Sequence, residues 1–371
     1  METPVWPMVR PDGLPILAMV TKRVYQRLGT SFKPSTNGSL VEEPDYQPSS
    51  NGNELEYLVA DSDFFAPLKA STDVIVRGNA YSRQGARYVD TSVEIGPYRK
   101  AIRAWGRRRV EVDHLGRPCF SAPETFNSVP ITWDNAFGGR DRFAERGLPS
   151  KRWGARDEAI ERVVAYPRNP YGKGFLVGPD SARISGTEGP AVEDPYDPVT
   201  AANMVARSMD DWTGRPAAAT YEVCDWFQFP RVGFWLGIDI GRDSRALGEA
   251  TARNLTTEQL SRRKVGAPID IRAYNCASPG LFGVRLSGGE AVRLINLHPR
   301  EGRIECSLPA ERPTFVLQPP GCPIYELPAL LATVLLEPDH DRLTMTWAGS
   351  LQVAEPYASD ACNIMRRTVK W

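Results

Sequence analysis

The sequence predicts a mainly β protein, β-rich α+β in class, with antiparallel sandwich-like lobes and a Gly/Pro-rich central region carrying short helices. Three observations predict it. From Ile269 onward, short apolar or alternating runs recur about every eight to twelve residues between Gly, Pro, Asp and Asn clusters, the spacing of an antiparallel sandwich. Val89, Thr91, Val93 and Ile95 alternate with polar residues and meet Gly96-Pro97, which predicts a hairpin whose second strand runs through Ile102, Ala104 and Val110. Thirty-two prolines, about 9% of the 371 residues against a usual share of roughly 5%, disfavour long helices.

The length exceeds that at which single cores usually stop growing, so two lobes, or one domain with large insertions, are expected; composition divides the chain into a β-rich lobe over 1–129, a motif-bearing region over 130–266, and an antiparallel β lobe over 267–371. In order, Leu14 to Leu28 reads as one or two strands ending at Gly29. Thr30 to Asn53 is rich in Ser, Pro, Asn, Gly and Glu without apolar periodicity, and reads as a long mobile loop suited to client contact. Glu56 to Ala60 and Asp73 to Gly78 read as short strands. Arg107-Arg108-Arg109 reads as a solvated strand edge that resists aggregation.

Short helices are expected over Arg156 to Val164, Thr200 to Trp212 with Thr200 as cap, and Ser244 to Leu260, where Thr256 and Gln259 have capping-box spacing. Val177 to Val199 reads as a surface loop. The C-terminal strands are expected at Ile269–Tyr274, Phe282–Leu286, Val292–Leu297, Arg303–Leu308, Thr314–Leu317, Leu330–Leu336, Arg342–Trp347 and Leu351–Ala354. No helix-strand alternation points to a parallel α/β sheet, and no fixed-period repeat occurs.

Forty-five basic residues balance forty-five acidic ones, which removes the electrostatic footprint of a dedicated nucleic-acid or anionic-membrane binder. Six scattered cysteines without a CxxC fit a reducing cytoplasm. No apolar run reaches the ~18–20 residues of a membrane helix. The run Leu14 to Val20 lacks the cleavage site that a signal peptide needs.

The chemistry-bearing residues form no recognisable catalytic constellation. His114, His298 and His340 are not at metal-ligand spacing with one another; His298 before Pro299 reads as a surface or cap residue, and Asp339-His340-Asp341 as a hairpin tip. Asp61-Ser62-Asp63 offers oxygen ligands for a hard cation but reads better as a turn. Gly172-Lys173-Gly174 lacks dinucleotide-loop spacing, and there is no G-x-S-x-G or Walker A motif. No cofactor is expected. Of the nine tryptophans, Trp105, Trp133, Trp153, Trp212, Trp226, Trp235 and Trp347 read as core or interface anchors, with carbohydrate stacking as the alternative.

Glycines beside aromatics mark the stretch Trp133 to Arg140, including Asn135, Phe137, Gly138 and Gly139, and its counterpart Arg168 to Phe175, including Asn169, Pro170, Gly172 and Gly174. Both require turns or close backbone approach. Four further motifs join them in order. The first is Ser62 to Lys69, with Asp63, Pro67 and Lys69, followed by Thr72-Asp73-Val74. The second is Trp226-Phe227-Gln228-Phe229-Pro230-Arg231, the third Tyr274 to Leu281, with Asn275, Pro279 and Gly280. The last is Gly289-Glu290 leading to Leu294 through Pro299.

This ordered set, spanning about 14–350, resembles the bacterial type VI secretion effector adaptors or chaperones, a family long catalogued as a domain of unknown function and often encoded beside PAAR-type spike-tip proteins. Cys276 departs from the small residue expected there, and Tyr221 to Trp226 lacks the usual glycine-aromatic-glycine pattern. The resemblance implies a non-enzymatic cytoplasmic protein that binds an effector at or near its PAAR region and helps seat it on the valine-glycine-repeat (VgrG) spike. Two other functions compete. One is a carbohydrate-active or metal-assisted hydrolase using Asp61, Asp63 or Asp341; the other is a structural component of the secretion system.

Overall fold

The computed structural model describes residues 3–10, 12–51, 56–146, 151–152, 159–160, 164–166, 168–178, 181–208, 211, 214–224 and 274–371. Strands dominate it, as the sequence predicts. The first part of the chain forms β1 (Val5–Val9), β2 (Pro15–Leu28), β3 (Ser31–Asn37), β4 (Asp45–Pro48), β5 (Glu56–Ala60), β6 (Asp73–Val76) and β7 (Asn79–Tyr81), followed by the expected hairpin, β8 (Tyr88–Ile95) and β9 (Tyr98–Trp105), whose second strand ends before Val110.

Only short strands follow in the middle: β10 (Val110–Val112), β11 (Pro118–Phe120), β12 (Ser128–Pro130), β13 (Phe137–Gly138), β14 (Lys151–Arg152), β15 (Ala159–Ile160), β16 (Lys173–Gly174), β17 (Leu176–Val177), β18 (Val192–Glu193) and β19 (Val205–Ala206). The C-terminal third supplies β20 (Ala291–Ile295), β21 (Arg303–Ser307), β22 (Thr314–Gln318), β23 (Tyr325–Pro328), β24 (Leu330–Glu337), β25 (Arg342–Gln352) and β26 (Arg366–Lys370).

Two sheets carry the architecture, and both mix the two ends of the chain. The larger runs β1-β2-β25-β24-β6, with β3 also on β2; the smaller runs β18-β9-β8-β20-β21. β2 and β25 pair antiparallel from Ile16↔Gln352 to Gln26↔Arg342, and β24 pairs parallel with β6. The two β-rich stretches at either end of the sequence therefore share sheets. Alternation decides which side chains enter the core. Val93, Ile95, Ile102, Ala104, Val292, Leu294 and Ile304 from the smaller sheet join Tyr25, Val74, Val334, Leu343, Met345 and Trp347 from the larger in one buried cluster. Nearer the start of β2, on the same face as Tyr25, Leu17 and Met19 pack with Phe315 and Leu317 of the β23-β22-β26 sheet, while Ile16, Ala18 and Val20 on the other face meet Leu68, Tyr274 and Ala66.

Several expectations are corrected. The stretch 30–53 is not one loop, because β3 pairs with β2 and β4 with β5. Its strands escape a periodicity search because nearly all their side chains are exposed, and backbone pairing alone holds them. Lys33 and Pro34 on β3 suit an outer strand that must not recruit another chain. The expected strands Arg342–Trp347 and Leu351–Ala354 are one strand, Arg342–Gln352, running through Gly349. A Cβ at Gly349 would come within 2.7 Å of the Phe315 ring, so the glycine there admits a packing partner without breaking the strand.

No helix forms over 200–208, the start of the expected Thr200–Trp212 helix. Thr200 Oγ1 does accept from the Asn203 amide at 3.1 Å, as a cap would, but the chain then enters β19, parallel to β17, and buries Met204 and Ala206. In Arg156–Val164, residues 159–160 form a strand; Ser244–Leu260 lies outside the described residues, as do Ile269–Ala273. Phe282–Leu286 is irregular backbone, pinned by Thr72 N–H to Val284 O and by Leu286 N–H to Thr72 Oγ1.

Val177–Val199 is not a surface loop throughout. Its β18 enters the smaller sheet beside β9, and Glu193 is buried there. The reason is Arg108, which is not a solvated edge residue. Its guanidinium is buried between the Trp105 and Phe120 rings and donates to Glu193 Oε2 at 2.9 Å, while Trp105 Nε1 donates to Glu193 Oε1 at 2.6 Å. Glu193→Ala would leave that guanidinium buried without its carboxylate, and urea unfolding should show a loss of about 3–5 kcal/mol. Adding Arg108→Met should restore much of the loss.

Candidate functional site

Four of the six motif segments converge on two buried centres. At the first, the turn Trp133–Asn135 leads into β13, which pairs parallel with β16, Phe137 opposite Lys173 and Gly138 opposite Gly174. The backbones approach too closely for side chains. A Cβ on Gly138 (φ 146) would sit 2.1 Å from Asn169 O, and one on Gly139 (φ 98) would sit 2.3 Å from Gly172 O. Gly172 is excluded from substitution likewise, with Ala136 O at 2.4 Å from a built Cβ.

Asn169, fully buried, locks the crossing by donating from Nδ2 to the carbonyls of Trp133 (2.7 Å) and Phe137 (3.0 Å). Beside it Pro170 is buried, Gly174 has φ 102, and the rings of Phe137, Tyr166 and Phe175 cluster. Trp133 is buried, and its Nε1 donates to Val223 O at 2.6 Å. Asn135 Nδ2 donates to Pro130 O and Thr132 Oγ1. The segment 49–51, expected to be mobile, is tied to this crossing. Ser50 bonds the buried Asp134 carboxylate, and Asn51 Nδ2 donates to the carbonyls of Asp134 (2.6 Å) and Tyr171 (2.9 Å).

The second centre is ionic. Asp73, at the start of β6 and wholly buried, takes Lys69 Nζ at 2.7 Å, Asn275 Nδ2 at 2.8 Å and the Cys276 amide at 3.0 Å. Lys69 also donates to Thr333 Oγ1 at 2.9 Å on β24. Asn275 closes the ring with Ser71, accepting from its amide and donating to its carbonyl. Burial alone would favour the neutral forms. The pair's mutual charge and hydrogen bonds win, so Lys69 is raised above the usual lysine range and Asp73 lowered below the usual carboxylate range. Pro67 lies in the 3-10 turn Asp63–Leu68, whose Asp63 pairs with Lys22 at 2.6 Å. Pro279 and Gly280 (φ 88) form the turn after Asn275. Trp226, Pro230 and Arg231 lie outside the described residues, as do Trp153, Trp212 and Trp235; Trp347 is buried and Trp105 half-buried.

His298 is a cap, as expected, but a buried one. Its Nδ1 accepts from the amides of Arg300 (3.2 Å) and Glu301 (3.0 Å). With Glu301 and Asp341 it forms a group whose ligand atoms lie within 4.8 Å of one another. That geometry is poor for a metal. With Nδ1 accepting, the neutral ring carries its proton on Nε2, 3.4 Å from Asp341 Oδ1, and Arg27 occupies both Glu301 and Asp341. The tip Pro338–His340, closed by Asp341 in the left-handed region, is the expected hairpin end between β24 and β25. All six cysteines are free thiols.

Sequence reasoning missed Glu222. It is buried beside the crossing with Oε2 unbonded, and burial pushes its carboxyl up to about 8, with Arg77 opposing and Asp134 reinforcing. An isolated glutamate in an irregular segment carries no signal of burial.

A family model described as an uncharacterized protein conserved in bacteria (DUF2169) matches residues 24–348, which include both centres. The chain belongs to this family. No curated protein and no solved structure matches it. Among the described residues of this family member, no helix is long and apolar enough to cross a membrane.

Two predictions follow from the centres. Trp133→Ala should cost about 3–5 kcal/mol in chemical denaturation, since it empties a ring-sized volume and strands the Val223 carbonyl. Glu222 is neutral when folded at neutral pH, so its contribution is full below the ordinary glutamate range and is lost as pH rises from there through about 8. Stability measured against pH should fall over that window in the native protein and more shallowly in Glu222→Gln; parallel curves would show that Glu222 does not hold its proton.

Proposed function

We propose that this DUF2169 protein is a cytoplasmic adaptor or chaperone that binds a type VI secretion effector, at or near its PAAR region, and assists its loading onto the VgrG spike. The observation that carries this reading is the ordered motif set together with what its residues do. Trp133, Phe137, Gly138, Gly139, Asn169, Lys69, Asp73 and Asn275 are consumed in packing, close backbone approach and mutual hydrogen bonding. Such a signature preserves a scaffold and leaves the outer surface free to suit a particular client. Balanced charge accords with a partner held by shape and apolar contact. An adaptor of this kind stabilises its client by mass action, binding the folded form in preference to the unfolded one.

The hydrolase reading gains nothing from the geometry. Asp63 is paired with Lys22, and Asp341 with Arg27 and Arg300. The expectation that 30–53 meets the client through disorder loses its basis over 31–51, whose strands and Asp134 contacts engage the chain itself.

Co-expression with the effector encoded alongside should raise that effector's soluble yield and give a complex that co-elutes on size exclusion. Two well-behaved proteins that never co-elute would refute the adaptor reading. A requirement for secretion of every effector would favour a structural component instead.

A further inference from the structure

Lys100 differs in its partners from the other lysines whose side chains the structure describes. Lys22, Lys69, Lys173 and Lys370 each pair with a carboxylate, and Lys33 is exposed. Lys100, partly buried on β9, is held by neutral oxygens instead: Nζ donates to Ser278 Oγ at 2.6 Å and to Pro279 O at 2.8 Å. Among the described residues, no carboxylate forms an ion pair with it, and Asp194 acts on it only from a distance. Two neutral dipoles replace water poorly around an ammonium. Burial accordingly pushes Lys100 down to about 8, with Asp194 and Cys224 opposing.

Lys100 keeps part of its surface exposed. Gly280 is exposed, and a Cβ built on it would lie 4.0 Å from Lys100 Cδ, so the lysine stem runs beneath a residue with no side chain. A lysine with these surroundings is of the kind that enzymes and modified proteins use as an amine nucleophile.

We propose that Lys100 is a nucleophilic amine site for small neutral carbon electrophiles, the class that includes carbon dioxide and isocyanic acid, with Ser278 and the Pro279 carbonyl as its positioning groups. The neutral Nζ lone pair forms a bond to the electrophilic carbon while one carbon–heteroatom π bond breaks. With carbon dioxide the product is a carbamate and one proton passes to solvent. With isocyanic acid the proton passes to the product nitrogen and a urea results. Neither addition requires an oxidant or a leaving group. This inference is independent of the adaptor reading.

Limiting cyanate added to the intact protein, followed by peptide mapping, tests it across about pH 6 to 10, with Lys33 as the internal reference. At neutral pH the neutral fraction of Lys100 exceeds that of an ordinary lysine by on the order of a hundredfold, and lower intrinsic nucleophilicity offsets part of this. Lys100 should therefore be carbamoylated on the order of tenfold faster than Lys33 at neutral pH, and its rate, once divided by the isocyanic acid fraction of the reagent, which falls as pH rises, should level near pH 8. Ser278→Ala removes an acceptor from the ammonium and should move that midpoint lower. Lys100→Arg should abolish the product while leaving the Lys33 rate unchanged. Labelling no faster than Lys33, or a rate that, divided by the isocyanic acid fraction, rises like an ordinary lysine's to the top of the range, overturns the proposal.

Discussion

Asp73 is a carboxylate with no exposure to water, placed where three distant parts of the chain must meet. It begins β6, the strand that runs parallel to β24, and its oxygens take Lys69 from the preceding turn and Asn275 and Cys276 from two hundred residues later. A buried charge is tolerated only when it is paired and its remaining lone pairs are filled, so each of these contacts constrains the others. Along β6 the backbone bonds of Val74 to Leu281 and Val76 to Tyr221 tie the same sheet edge to the Tyr274–Leu281 motif and to Tyr221. The larger sheet is thus closed on this side by residues that sequence places far from it.

The second dependence is steric. At the crossing of β13 and β16 the chain runs backbone against backbone, and Gly138, Gly139 and Gly172 are there because an added Cβ would meet a carbonyl oxygen. Asn169 satisfies the carbonyls that the turn exposes. Trp133 carries the crossing into the main core through its ring and to Val223 through its indole N–H. Both centres are thus constraints on folding, and their motif residues sit inside the protein. This is why a family signature can be strong in sequence without marking a catalytic group.

Much of the fold was legible in sequence because alternation survives wherever one strand face is buried. The β8–β9 hairpin, β20, β21, β22 and β24 fall where Val93, Ile95, Ile102, Val292, Leu294, Ile304, Phe315 and Leu336 predict them. Strands that bury almost nothing left no such trace, as with β3 and β4, and strands of two residues, such as β18 and β19, are too short to show a period. The glycine-aromatic segments were recognisable as a crossing because glycine beside a large ring is informative about backbone conformation. The Lys69–Asp73–Asn275 ring was visible only as two separate motifs.

By itself the sequence determined the β-rich class, the positions of the amphipathic strands, the neutral charge balance, and the two segments that would have to pass close together. Tertiary structure alone decided that the chain's two ends interleave within the same sheets, that Arg108 is buried against Glu193, and that Lys100 rests on neutral oxygens beneath Gly280. The physical reason is range. Strand pattern and backbone freedom are properties of neighbouring residues, whereas the state of a buried charge depends on which remote groups the fold brings to it.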